Sequence, residues 1–308
     1  MTKRIIVTLV LEAIVLACLL TLALDMRAHN RVERLGGVNI WGYRGPVMQQ
    51  KASNEIRIAT IGGDLAFGWG VAASETLVYG IRQFVALTLD VRGSQLRRFT
   101  AVDLGALGLE PAGYAAWIRH FAYLRPDVIC IVPDARGHRT AGVSIQPDRH
   151  SAIFRAFGYA PILPLVVEEK GALLHSAPVR AIGSIAMALS RIGAVDPPSI
   201  AVDEPRSFYV DAIRNAVQAA LANGSAVVVV APPDPASADE ADRDALAAMV
   251  TTAFAGHPRV RFVDLGRQPD MADAAIWLDG VALSAAGHAT AASHVTPDVL
   301  DLVRKLPS

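Results

Sequence analysis

Hydrophobic residues form one long run near the N-terminus and a series of short runs later in the chain. The long run extends from Ile5 to Leu24 and follows two basic residues, Lys3 and Arg4. A helix needs about 20 consecutive apolar residues to cross the hydrocarbon core of a bilayer. The run therefore predicts a transmembrane helix, and the charge of Glu12 inside it predicts either a tolerated defect or a polar partner.

Two processed forms of the N-terminus compete with an uncleaved anchor. A cleaved signal peptide needs a shorter apolar core followed directly by small residues, whereas Ala23 is followed by leucine and aspartate. The segment Val15–Cys18 loosely resembles a lipoprotein box, but the apolar run continues beyond it. The pattern favours an uncleaved anchor over residues 1–25.

Beyond the anchor, a polar connector is predicted over residues 26–54, and then short runs rich in Val and Ile alternate with helical patterns. The predicted strands are Ile56–Ile61, Phe99–Leu104, Asp127–Val132, Ala226–Ala231 and Val260–Leu265. The predicted helices are Glu75–Asp90, Pro111–Leu124, Ser207–Asn223, Ala238–Ala255 and Ser284–Val295. This alternation predicts an α/β domain over residues 55–308, with a parallel sheet and helices on both of its faces.

One stretch, residues 136–206, breaks the alternation. It contains the apolar segment Phe157–Pro164 and a helical pattern near Val179–Arg191. We interpret it as a mostly helical insertion that either roofs the site or faces the membrane.

Composition and charge exclude several classes of function. With 29 basic and 29 acidic residues the formal net charge is zero, so no nucleic-acid partner is predicted. The two cysteines, Cys18 and Cys130, fit neither a disulfide framework nor a metal site. Gly62-Gly63 lacks the downstream Gly-Lys of a phosphate-binding loop, and the histidines show no metal-ligand spacing. No cofactor and no metal are therefore predicted.

The first strand–loop–helix junction carries a longer motif. The block Thr60–Val71 resembles GGSTTFGWGV, the opening block of the SGNH (GDSL-type) esterases, and Gly42–Pro46 resembles their approach segment. The resemblance implies a three-layer α/β/α, flavodoxin-like SGNH fold and a serine nucleophile after the two glycines. Asp64 stands at the position of that serine.

Two middle blocks of the family are partly matched. Asp103–Gly108 is similar to an NLGxxG block whose last glycine donates a backbone N–H to the oxyanion. This role falls on Gly108, although a glycine in a tight turn would look the same. The strand Asp127–Val132 leads to the position of a GxND block, where the Asn is missing and Arg136 lies near its place.

The last block, Asp279–His288, resembles DGxHLSxxGH. It makes Asp279 the counterpart of the triad acid and His288 a structural residue near the start of the final helix. The catalytic histidine of the family falls on Ala282, which carries no titratable group. The predicted site positions are therefore Asp64, Gly108 and Asp279, with the histidine lost at Ala282.

Three functions follow from these residues. The first is a catalytically impaired SGNH-like domain, extracytoplasmic by the resemblance, that binds envelope carbohydrate, a lipid-linked ligand or a protein. The second is an active esterase or deacetylase with an unusual site drawn from Asp64, Asp134, Asp279 and His288. The third is a structural subunit whose anchor pairs with a partner helix through Glu12. None of them fixes the oligomeric state.

Overall fold

The computed structural model describes residues 2–34, 37–90, 97–134, 152–159, 161–163, 167, 206–233, 240–278 and 282–306. The strands are β1 (Glu55–Gly62), β2 (Arg98–Asp103), β3 (Val128–Val132), β4 (Ala226–Ala231) and β5 (Val260–Asp264). The helices are α1 (Thr2–Arg34), α2 (Asp64–Phe67), α3 (Leu77–Asp90), α4 (Pro111–His120), α5 (Ala152–Phe157), α6 (Arg206–Ala222), α7 (Glu240–Ala253) and α8 (Ala285–Arg304). Short 3₁₀ helices are Ala73–Glu75, Ala122–Leu124, Leu265–Arg267, Pro269–Ala272 and Ala274–Ile276.

The five strands form one sheet in the order β2-β1-β3-β4-β5, and every neighbouring pair is parallel. The predicted parallel sheet is confirmed, and each predicted strand lies within one residue of its observed bounds. Because all strands run in the same direction, the loops after β1, β2 and β3 meet at one edge of the sheet. Ligands of open parallel sheets bind at this edge.

Alternate side chains of each strand point to opposite faces, and both faces are covered. Val128 and Cys130 of β3 belong to the core that α3 and α8 form with the sheet. Their neighbours Ile129 and Ile131 point to the other face and are also buried. On that face α4 and α6 pack against each other and against the sheet. The three-layer α/β/α fold is therefore confirmed.

The last helix is longer than its predicted range, Ser284–Val295. Pro297 supplies no backbone N–H, which normally ends a helix. α8 nevertheless continues to Arg304, because Val299 and Val303 beyond the proline are buried in the core. Burying such a side chain stabilises the fold by about 1.5–3 kcal/mol, which offsets the lost hydrogen bond.

The described residues fall into two compact units. One comprises residues 1–42 and 144–196, and the other comprises residues 43–143 and 197–308, including the whole sheet. In the first unit, α1 contains a stretch, Arg4–Arg31, that is long and apolar enough to cross a membrane. α1 continues to Arg34, and the boundary at residue 25 between anchor and connector stays a prediction. The helical pattern near Val179–Arg191 lies outside the described residues.

Candidate functional site

The two glycines at the end of β1, Gly62 and Gly63, allow the ends of β1 and β3 to approach closely. A Cβ atom on Gly62 would lie 1.9 Å from the carbonyl oxygen of Val132, the last residue of β3. A Cβ atom on Gly63 would lie 1.9 Å from a carboxylate oxygen of Asp134. Only glycine fits at position 62, where the clash is with backbone, and a side chain at position 63 would displace the carboxylate of Asp134. The Gly-Gly pair that carries the resemblance therefore has a steric reason of its own.

Asp64 begins α2 directly after this pair, and its side chain is buried. Its Oδ1 atom accepts a hydrogen bond from the backbone N–H of Gly108, at 3.0 Å. The structure thus brings together two of the positions named from the sequence, although they lie 44 residues apart. Gly108 has φ +61°, and a Cβ atom there would meet nothing within 4 Å, so glycine serves the backbone conformation here.

The carboxylate of Asp134, two residues past β3, caps α2. Its Oδ2 and Oδ1 atoms accept hydrogen bonds from the backbone N–H groups of Asp64 (2.8 Å) and Leu65 (2.9 Å). These N–H groups open the helix and would otherwise lack partners. Asp134 therefore caps α2, whereas the carboxylate of Asp64 accepts the N–H of Gly108.

The carboxylate of Asp64 influences the charge state of Asp134. Although Asp134 keeps some exposed surface, desolvation of its carboxylate by the surrounding protein raises its pKa to about 7. The negative charge of Asp64 acts in the same direction, while the two backbone hydrogen bonds favour the charged form. At neutral pH, Asp134 is therefore present in both protonation states beside Asp64.

His288 does not join this pair. It lies in the first turn of α8, whose N-terminus is capped by Ser284. The side chain is buried, and among the described residues neither ring nitrogen has a hydrogen-bond partner. Burial, followed by the positive charge of Arg44, lowers the pKa of His288 to about 4, so the ring is neutral at pH 7.

The turn before α8 holds the position of the missing histidine. The carbonyl of Ala282 accepts the backbone N–H of Leu278 at 2.8 Å, and Trp277 and Leu283 form a short antiparallel bridge. Ala282 therefore has a defined place, and its methyl group can neither accept nor donate a proton. Asp279 lies outside the described residues. Arg136, expected near the place of the missing Asn, lies outside them too.

Sequence reasoning missed the role of Arg44, which holds the loop that follows α2. Its buried guanidinium donates hydrogen bonds to the carbonyls of Phe67, Gly68 (2.8 Å) and Val71, and it lies 4.4 Å above the ring of Phe67. Its backbone N–H donates to the carbonyl of Asp103 at 3.0 Å. The approach segment is thereby tied both to the end of β2 and to the loop after α2. A lone arginine amid Gly and Pro gave no signal of such a role.

Asp103 is a second buried carboxylate behind the site. Its Oδ1 atom accepts the backbone N–H of Gly105 at 2.9 Å. Burial raises its pKa to about 7, although the charge of Arg44 favours the ionised form. A Cβ atom on Gly105 would lie 2.2 Å from the backbone nitrogen of Phe67, so this turn packs directly against α2.

Comparison with known proteins gives matches in structure only. No protein-family model matches the chain, and the search of curated proteins gave no match. The solved structures similar to it are esterases, carbohydrate esterases and lipolytic enzymes. One of them, from Desulfitobacterium hafniense, is described as a lipolytic protein of the G-D-S-L family.

Three of these structures show the extent of the similarity. A family two carbohydrate esterase from Clostridium thermocellum has a TM-score of 0.47 at 12% identity, over 85% of this chain and 68% of that chain. The esterase EstA from Pseudoalteromonas sp. has a TM-score of 0.45 at 8% identity, over 81% and 99%. The lipase Lip_vut3 from a goat rumen metagenome has a TM-score of 0.44 at 11% identity, over 79% and 96%. Activity cannot be inferred from likeness at this level.

Proposed function

We propose that this chain is a membrane-anchored protein whose esterase-like domain binds a ligand at the cell envelope without hydrolysing it. The observation that carries this proposal is the hydrogen bond from the Gly108 N–H to the carboxylate of Asp64. By the resemblance, Gly108 would donate that N–H to the oxyanion of a reacting ester. Here a side chain of the protein itself already accepts it.

Electrostatics makes this arrangement unfavourable for ester hydrolysis. Loss of one oxyanion donor costs an enzyme about 2.7–4 kcal/mol of transition-state stabilisation. In addition, a negative charge on Asp64 would face the oxyanion, and two like charges 4 Å apart repel by about 4 kcal/mol at an effective dielectric constant of about 20. Both effects raise the barrier to attack on the carbonyl.

Proton transfer lacks its usual group as well. Attack by a hydroxyl requires a nearby base, and the family position for that base is Ala282. His288 is neutral at pH 7, but its ring contacts neither Asp64 nor Asp134 through a hydrogen bond among the described residues. The nucleophile, the oxyanion donor and the base are thus all altered relative to the family pattern.

The chemistry at this edge of the sheet favours a ligand that supplies hydroxyl groups. Carboxylate oxygens accept hydrogen bonds, and Asp134 keeps some exposed surface beside Asp64. A carbohydrate, either free or linked to a lipid, offers several hydroxyl donors. An extracytoplasmic envelope carbohydrate is therefore the ligand class that we propose, with α1 holding the domain at the membrane surface.

Hydrolysis of p-nitrophenyl acetate by the full chain in detergent micelles tests this proposal. We expect no turnover above a no-protein blank, and a gain of turnover when Asp64→Ser is combined with Ala282→His. Each single substitution serves as the control, because neither one restores both a nucleophile and a base. Turnover by the unaltered chain that Asp64→Asn abolishes would show that the proposal is wrong.

A second candidate function is an active hydrolase that uses the two carboxylates. The observation in its favour is the pKa of about 7 for Asp134, because a carboxylic acid that is half protonated at neutral pH can serve as a general acid. Asp64 would then act as the nucleophile. This function predicts ester turnover that declines as the pH rises through 7. In an Asp134→Asn variant, the turnover should no longer depend on pH over this range.

A further inference from the structure

The apolar run of α1 ends at an aspartate that binds another segment of the same compact unit. Asp25 directly follows Leu24, and its side chain is buried. Its Oδ1 atom accepts the backbone N–H groups of Ile162 (3.0 Å) and Leu163 (2.6 Å), and its Oδ2 atom accepts the hydroxyl of Tyr159. Three hydrogen bonds therefore hold this segment at one point of α1.

Side-chain packing reinforces these hydrogen bonds. His29, one turn beyond Asp25, is fully buried and contacts the ring of Tyr159 edge to face, with the centroids 5.9 Å apart. Phe154 of α5 and Ile162 are also buried. We call residues 154–159 and 161–163 the docked segment. The hydrogen bonds and the contact between the rings of His29 and Tyr159 together define its position along α1.

The point of attachment sets the depth of the docked segment relative to the bilayer. The apolar side chains of α1 are exposed up to Leu24, as expected for side chains that contact lipid, and Asp25 is the first acidic residue after them. A bilayer crossed by the run Ile5–Leu24 would have its boundary between hydrocarbon and headgroups next to Asp25. The headgroup layer is about 5–8 Å thick on each side of the hydrocarbon core.

Within the docked segment, Phe157 projects into solvent. It is 76% exposed, more than any other large hydrophobic residue that the structure describes. Tyr159 lies two positions further along the chain, so the Cα atoms of the two residues lie within about 8 Å of each other. Phe157 is therefore close enough to the boundary to reach the headgroup layer, where aromatic side chains are stabilised.

The other side of α1 carries positive charge at the same level. Arg27 and Arg31 are exposed and follow Asp25 and His29 by two positions each. Two residues correspond to about 200° around a helix, so these arginines point away from the docked segment. Basic residues at this level are attracted to anionic lipid headgroups by about 1 kcal/mol each.

We propose that the docked segment lies in the headgroup layer of the bilayer that α1 crosses, with Phe157 inserted as an interfacial anchor. The partner of this surface is the lipid bilayer itself. The inference rests on the membrane anchoring proposed above and adds a second membrane contact, more than 120 residues after the first in sequence. Asp25 fixes the depth of this contact.

Depth-dependent fluorescence quenching tests the proposal. The full chain with Cys18→Ser is reconstituted into phosphatidylcholine vesicles that contain phosphatidylserine, and a fluorophore is attached to Phe157→Cys or to Leu16→Cys. The vesicles carry a nitroxide either near the headgroup or near the end of the acyl chain. Cys130 is buried and does not compete for the label.

We expect the label at position 157 to be quenched at least about twofold more by the shallow nitroxide than by the deep one, and the label at Leu16 to show the reverse order. Adding Asp25→Ala should abolish the quenching at position 157 and leave that at position 16 unchanged. Quenching at position 157 that survives Asp25→Ala would overturn the assigned role of Asp25.

The reference label separates the two proposals. If the label at position 16 is quenched and the label at position 157 is not, the docked segment lies in water and this inference is wrong, while the anchoring of the chain stands. If neither label is quenched by lipid, α1 does not cross the bilayer and both proposals fail.

Discussion

At the scale of single residues, the site is dominated by carboxylates whose surroundings decide their charge. The carboxylate of Asp134 accepts two backbone N–H groups at the start of α2, and the carboxylate of Asp64 accepts the backbone N–H of Gly108. Asp103 lies behind them, fully buried, with the guanidinium of Arg44 as its nearest source of positive charge. Replacing any one of these acids therefore changes a hydrogen bond and a local charge at the same time.

Asp103→Asn separates charge from hydrogen bonding, because its amide oxygen can still accept the N–H of Gly105. The pKa of Asp103 is raised from an ordinary value near 3.8 to about 7 in the folded protein. Between these pH values the folded state therefore binds more protons than the unfolded state, so a rise in pH destabilises the fold through this group.

We expect the unaltered chain to lose stability relative to Asp103→Asn as the pH rises from 4 to 7, by on the order of 3 kcal/mol, and to change little above pH 8. Thermal unfolding of both proteins in the same detergent at pH 5 and pH 8 measures the difference. Asp134 and His288 titrate in both proteins and cancel. An equal difference at the two pH values would contradict the raised pKa.

At the scale of elements, the sequence pattern predicted the sheet well and its connections less well. Runs of Val and Ile identify the strands in the sequence, because strands that are buried on both faces consist largely of such apolar residues. Capping of α2 by Asp134 depends on residues 70 positions apart, which no local pattern reveals. The continuation of α8 past Pro297 was missed for the same reason, because burial in the tertiary structure outweighs the local signal.

The contacts of the site positions taken from the resemblance were likewise not predicted from the sequence. The backbone N–H of Gly108 donates to the carboxylate of Asp64, a hydrogen bond that the motifs did not predict, and the roles of both positions stay predictions. The clamp formed by Arg44 was also missed, because it depends on carbonyl groups that any sequence would offer. Asp279 stays a prediction.

Gly62→Ala tests how closely β1 and β3 approach. A methyl group would overlap the carbonyl of Val132, so the ends of the strands must separate. We expect a loss of about 3 kcal/mol or more in unfolding free energy, as for other overpacked positions. Chemical denaturation measures it.

Gly224→Ala is the matched control for this substitution. Gly224 has φ +88°, but a Cβ atom there would meet nothing within 4 Å. Backbone strain alone costs about 1–2 kcal/mol. Equal losses for the two variants would show that the close approach of the strands is unimportant for stability.

At the scale of the whole molecule, the candidate membrane span and the candidate site belong to different parts of the chain. The sheet and its loops lie in one compact unit, whereas α1 lies in the other, together with residues 144–196. Removal of the apolar run should therefore leave the sheet intact. Attachment to the membrane and the chemistry of the site can then be altered independently.

A chain that begins at Asp25 retains the acceptor for the docked segment but lacks the exposed apolar part of α1. We expect the full chain to remain in the membrane fraction after an alkaline carbonate wash, since about 20 apolar residues span the bilayer. The shortened chain should appear in the supernatant. Its far-ultraviolet circular dichroism spectrum should retain the signal of the folded α/β domain. A full chain released by the wash would contradict the anchor.

The bond between Asp64 and Gly108 has one more consequence. Hydrolysis of an ester releases a carboxylic acid, and an esterase that retains this acid in its site is inhibited by its own product. In this chain the carboxylate is supplied by residue 64 and held by a backbone N–H at 3.0 Å. If the N–H of Gly108 holds the oxyanion position that the resemblance implies, this carboxylate mimics an acid product, and added acetate should find that N–H already occupied.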